Sequence, residues 1–162
     1  KYISYIKYKF LNWLNLGEEQ SFMIITRQIK ETVSLMFSPA PPEQGGILGM
    51  KNGVISAFVL DNSEQKTESA EYSPNTQFLN RQIEKWADEG IEFCGILHSH
   101  PSGQTTLSGS DMEYIKELYH VNLWLEKTYF PLIIDGCDMI VYAVEKSNGK
   151  IEVKRTQPEI ID

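Results

Sequence analysis

Apolar positions in this chain recur at two periods, and the switches between them predict strands alternating with helices. Phe22-Met23-Ile24-Ile25 is a short apolar run that reads as a strand. From Thr26 to Phe37 the apolar residues Ile29, Val33 and Met36 or Phe37 fall at helical spacing, with Thr26 available as a cap. Ser38-Pro39-Ala40-Pro41-Pro42 ends that helix, because proline cannot continue it. Two apolar runs, Gly45 to Met50 and Val54 to Leu60, flank Lys51-Asn52-Gly53. An Asn-Gly pair between such runs predicts a hairpin. Asp61 to Ser69 is polar and reads as an exposed loop. Asn75 to Glu89 forms an amphipathic helix, with Phe78, Leu79, Ile83 and Trp86 inside, Arg81, Glu84 and Lys85 outside, and Gly90 as its stop. Phe93-Cys94-Gly95-Ile96-Leu97 reads as a buried strand, and a helix runs from Asp111 to about Leu123. Three closing strands follow, Tyr129 to Ile134, Asp138 to Val144 and Ile151 to Arg155, with turns at Asp135-Gly136 and Ser147-Asn148-Gly149. The order predicts an α/β fold: one mixed sheet with helices on its faces.

Residues 1–16 differ from the rest. They are aromatic and basic, carry no acid, and set Ile3, Ile6, Phe10, Trp13 and Leu14 on one face of a helix. Three readings compete. The helix packs on this domain or on a second copy in a homodimer, it lies on a membrane surface, or it is the tail of a preceding segment. Residues 1–20 are therefore read as an amphipathic extension and 21–162 as the domain proper.

At 162 residues there is enough chain for one domain with a core of its own. The formal charge of −7 argues against a general nucleic-acid partner, which needs a basic surface. No apolar run reaches the ~18–20 residues of a membrane span. Cys94 and Cys137 sit in apolar strand-like runs and form no CxxC, so they read as packed thiols in a reducing, cytoplasmic setting.

The chemistry concentrates in His98-Ser99-His100-Pro101, Ser108 and Asp111. Side chains alternate along a strand, so His98 and His100 point the same way, with Cα atoms roughly 6.6 Å apart. Both imidazoles can then converge on one ion, with Asp111 arriving from the start of the next helix. Two imidazoles and one carboxylate leave a fourth position for water, the pattern of a catalytic zinc. Taken singly, each residue has a plainer reading: a strand-end histidine held by hydrogen bonds, and Ser108 and Asp111 as helix caps. Jointly that reading fails, since two of the chain's three histidines fall within this short stretch. Glu43 alone would be a solvated loop acid. A zinc nucleobase deaminase is excluded, because His-x-Glu and Pro-Cys-x-x-Cys are both missing.

His98-x-His100, seven residues, Ser108, two residues and Asp111 resembles the signature of the JAMM metalloproteases, the MPN-plus domains. Upstream, Pro42-Glu43-Gln44-Gly45-Gly46-Ile47-Leu48-Gly49 resembles the family's glutamate before a Gly-rich strand, and Pro101-Ser102-Gly103 resembles prokaryotic members. Leu107 stands where proline is frequent. The resemblance spans roughly Phe22 to Val144 and implies a deaminase-like α/β sandwich. It also implies one zinc per chain with a bound water, held by His98, His100 and Asp111, with Glu43 as acid/base and Ser108 stabilising the oxyanion. The implied reaction is cleavage after the C-terminus of a ubiquitin-like or sulfur-carrier-like modifier, with E1-like or E2-like partners encoded nearby. A metallohydrolase of a smaller amide and a non-catalytic MPN scaffold are the alternatives. The modifier's extended tail would pair with a sheet edge, supplied by the loop after Leu60 or the segment after Tyr119.

Overall fold

The structure is a computed structural model and describes residues 22–37, 42–61, 71–135 and 138–162. The expected N-terminal helix, most of the loop after Leu60 and Cys137 lie outside the described residues. The elements run β1 (Met23–Thr26), α1 (Arg27–Met36), β2 (Gly45–Lys51), β3 (Val54–Leu60), α2 (Thr76–Asp88) and β4 (Glu92–His100). They continue with α3 (Gly109–Val121), β5 (Lys127–Ile134), β6 (Asp138–Ser147), β7 (Lys150–Thr156) and β8 (Pro158–Ile161). The strands form one mixed sheet in the order β7-β6-β5-β4-β2-β3-β1-β8. The expected class, a mixed sheet flanked by helices, is the observed one.

Local chemistry sets most boundaries where the sequence puts them. The Thr26 hydroxyl accepts from the Ile29 amide and starts α1. Asn52 and Gly53 have φ of 53° and 79°, the left-handed pair that a two-residue hairpin turn between β2 and β3 requires. Helix α3 stops at Val121 rather than Leu123. The Asn122 side chain donates to the Leu118 carbonyl at 2.9 Å and satisfies the helix end early. Strand β8 is an addition to the three expected closing strands: it pairs in parallel with β1, Met23 opposite Pro158 through Thr26 opposite Ile161.

Two buried clusters lie on opposite faces of the sheet. One joins Leu79, Ile83 and Trp86 of α2 with Ile115, Leu118 and Tyr119 of α3 over Ile47, Ile96 and Phe130. The other sets Val33 of α1 with Ile25, Leu48, Leu97 and Ile133. Burying each such side chain stabilises the fold by about 1.5–3 kcal/mol. The ladder between β2 and β4 slips between Leu48 and Gly49, so Gly95 opposes Leu48 while Phe93 opposes Gly49. This bulge resets the phase of β4: Phe93 and Ile96 share the α2/α3 face, whereas Cys94 and Leu97 take the α1 face. His98 and His100 continue the phase of Ile96, toward the side on which α3 begins.

Candidate metal centre

Strand β4 is interior, paired antiparallel with β2 and parallel with β5, and the two histidines stand at its C-terminal end. Open sheets favour that end for ligand sites. Both residues are buried, at 5% and 3% exposure, so their imidazoles are held by the fold rather than by solvent. The two Nε2 atoms lie 2.9 Å apart. The Nδ1 of His100 is 3.2 Å from the Gln104 carbonyl oxygen. A carbonyl only accepts, so Nδ1 carries the proton and the neutral ring keeps a bare Nε2, the form a metal needs.

Asp111 comes from the first turn of α3. The Ser108 hydroxyl accepts from the Asp111 amide at 3.1 Å, and the Asp111 carboxylate accepts from the Ser108 amide at 2.7 Å, a reciprocal capping box. The same carboxylate reaches both imidazoles, Oδ1 at 3.1 Å from His98 Nε2 and Oδ2 at 3.3 Å from His100 Nε2. The plainer cap reading and the ligand reading of Asp111 are thus geometrically compatible. Burial pushes this carboxyl up, but bonds from His100, His98 and the Ser108 amide outweigh it and hold the group well below the ordinary carboxylate range. Burial likewise lowers His100, yet Asp111 with the Gln104 carbonyl and the Glu43 charge brings it above the ordinary imidazole value.

Glu43 reaches the site by sheet register. Gly45 opposes His98. One step on, the Ser99 amide donates to the Gln44 carbonyl at 2.8 Å and the Gln44 amide donates to the Ser99 hydroxyl at 2.9 Å. The next step sets Glu43 beside His100. One ligand atom each from Glu43, His98 and His100 lie within 4.8 Å of one another. Glu43 Oε2 also accepts from the Tyr72 amide at 3.0 Å.

The donor set fits a borderline divalent ion such as zinc, which takes imidazole nitrogen and carboxylate oxygen. Atoms bound to one zinc at about 2.0–2.1 Å in a tetrahedron stand roughly 3.3 Å apart. The two Nε2 atoms stand 2.9 Å apart and each meets one Asp111 oxygen, Oδ1 at 3.1 Å from His98 and Oδ2 at 3.3 Å from His100, contacts of about that length. Glu43 carries a separate bond from a backbone amide, which suits a proton carrier beside the imidazoles.

The sequence-derived residues Glu43, His98, His100 and Asp111 are brought together, and Ser108 stands one hydrogen bond from Asp111. Among the remaining hydroxyls, Ser110 donates to Glu71 and Thr105 offers its carbonyl to Tyr142. His120 is exposed on α3. Sequence reasoning missed Ser99, Gln104 and Tyr72. Gln104 acts through its backbone carbonyl, which no residue type announces, and the Ser99 hydroxyl acts on a backbone amide distant in sequence. Tyr72 lies between a polar stretch and α2 with no neighbouring pattern. Its ring fills the space a Cβ on Gly45 would occupy, 2.2 Å away, and stacks on His98 with centroids 6.1 Å apart.

The family model described as prokaryotic homologs of the JAB domain matches residues 25–144. No curated protein matches the chain. The chain is similar to the solution structure of a Desulfitobacterium hafniense protein, at 14% identity and a TM-score of 0.60, covering 86% of this chain and 94% of that one. A crystallised JAB1/MPN domain protein from Archaeoglobus fulgidus is similar at 18% identity and a TM-score of 0.49, over 86% of this chain and 99% of that one. The first of these likenesses bears on the fold alone. Among the described residues, no helix is long and apolar enough to cross a membrane.

Proposed function

Because the chain belongs to the prokaryotic homologs of the JAB domain, we propose that it is a zinc-dependent peptidase or isopeptidase. In this reading it cuts after the C-terminus of a ubiquitin-like or sulfur-carrier-like modifier, to mature the modifier or release it from a conjugate. The observation that carries the reading is the close approach of His98, His100 and Asp111, with 2.9–3.3 Å between their paired ligand atoms, and of Glu43 to the two imidazoles.

His98, His100 and Asp111 would hold the ion. Zinc bound there would supply Lewis acidity that brings the ionisation of water near neutral pH. Glu43 accepts the proton of the attacking water and returns it to the departing amine nitrogen, so one carboxylate serves both transfers. Ser108 accepts one hydrogen bond as a cap, and a hydroxyl that accepts can still donate. Its O–H donates a hydrogen bond to the carbonyl oxygen as that oxygen gains charge. The E1-like and E2-like partners expected from the sequence belong to the same reading.

The test is metal content with cleavage. Purified chain should carry one zinc and cut modifier–peptide fusions in preference to short amides. Glu43→Gln should keep its zinc and lose about 10²–10⁴-fold in rate. Zinc-loaded Glu43→Gln that cleaves at the parental rate removes Glu43 from its role. A chain that binds no zinc overturns the enzyme.

A further inference from the structure

The segment from Glu71 to Asn75 touches each side of the site. The Tyr72 amide donates to Glu43 Oε2 at 3.0 Å, and the Tyr72 ring lies against His98, tilted by 22°. Ser110, in the first turn of α3, donates to Glu71 at 3.2 Å. The segment is itself tethered. The Tyr72 hydroxyl and the Asn75 amide both donate to Asp61 Oδ2, at 3.0 and 2.7 Å. The Asp61 amide in turn donates to the Gly45 carbonyl at 2.8 Å. A closed circuit results: Gly45 holds Asp61, Asp61 holds the Tyr72 hydroxyl, and the Tyr72 ring covers Gly45 where a side chain would clash. Burial, together with the Asp61 charge, pushes the Tyr72 phenol far above its ordinary value and keeps it a donor.

We propose that Tyr72 is a positioning residue of the site, its ring fixing the His98 imidazole and its amide fixing the Glu43 carboxylate, with Asp61 as its anchor. The proposal rests on the reading of His98 as a ligand and Glu43 as the acid/base. Partners that orient a ligand shift metal affinity about 10–100-fold when lost. A residue that served only to fill space would change folding and leave the bound metal's spectrum alone.

The test uses cobalt(II) as probe on the full chain. Affinity is read by chelator competition, coordination by visible absorption, and folding by thermal unfolding of the metal-free protein. Tyr72→Leu should bind cobalt about tenfold more weakly and with shifted visible bands. Tyr72→Phe, which keeps the ring, should restore the bands and most of the affinity. A folded Tyr72→Leu protein with the parental affinity and spectrum overturns the proposal. If Tyr72→Leu does not fold, Asp61→Asn carries the test. It weakens both anchoring bonds and leaves the ring, so affinity should fall about threefold; unchanged affinity and bands overturn the proposal. A parental chain that binds no cobalt sinks the proposed function and this inference together. Parental binding beside an indifferent Tyr72→Leu sinks this inference alone.

Discussion

Helices α2 and α3 begin in nearly the same way and end up with different duties. Asn75 caps α2 by accepting from the Phe78 amide at 3.1 Å, and Ser108 caps α3 by accepting from the Asp111 amide at 3.1 Å. Each caps the third helical residue. At α2 that residue is Phe78, packed against the apolar cluster. At α3 it is Asp111, which returns a bond to the Ser108 amide and also reaches His98 and His100. A capping pattern therefore reports where a helix starts, and says nothing about what else its side chains touch. The neighbour across space decides that, and here the neighbour is the end of β4.

The sharpest break in the comparison is Asp111→Asn. The amide oxygen can still accept from Ser108, so the cap survives, while the anionic ligand is lost. Metal affinity should fall by at least about a hundredfold, measured by chelator competition. Ser108→Ala comes next. It should cost about 1 kcal/mol of stability, as a lost cap does, and in addition slow cleavage by about a hundredfold at saturating substrate. An effect on stability alone would return Ser108 to the plain duty of Asn75.

Proton competition gives the third effect. Asp111 lies below its ordinary value, so its contribution to stability is present above pH 3.8 and lost as pH falls through its folded value. His100 lies above its ordinary value, so its contribution is present below pH 6.5 and lost as pH rises through its folded value. The two shifts describe one ion pair seen from either partner. The metal-free chain should gain most from it between pH 3.8 and 6.5. Metal binding requires the bare His100 nitrogen, so affinity should climb about tenfold per pH unit until that proton is gone, traced by titrations at successive pH. The smallest effect is Asn75→Ala, about 1 kcal/mol in thermal unfolding with metal affinity unchanged.

The sequence made some of this legible and hid the rest for identifiable reasons. The His98/His100 pair was readable because a strand has period two, and the hairpin was readable because Asn52-Gly53 has one favoured geometry. The bulge at Cys94 was not. It follows from a slip against β2, so the α2/α3 face taken by Phe93 and the histidines together depends on pairing and not on β4 alone. Strand β8 was missed because it is short and begins with proline, and its place comes from a distant partner, β1. Glu43 was found through its motif, but what holds it there, the bonds of the Gln44 backbone to the Ser99 amide and hydroxyl and the bond from the Tyr72 amide, involves backbone groups whose partners side-chain types do not announce.

Strand β4 has a neighbour on either flank, with Gly45 opposite His98 on one side and Leu132 on the other. The pair of imidazoles is thus mounted on a beam clamped along both rails. Hydrogen exchange at this end of the strand should be slow with or without metal. Descendants of this chain could exchange whole surface loops to suit new clients while inheriting the same grip unchanged.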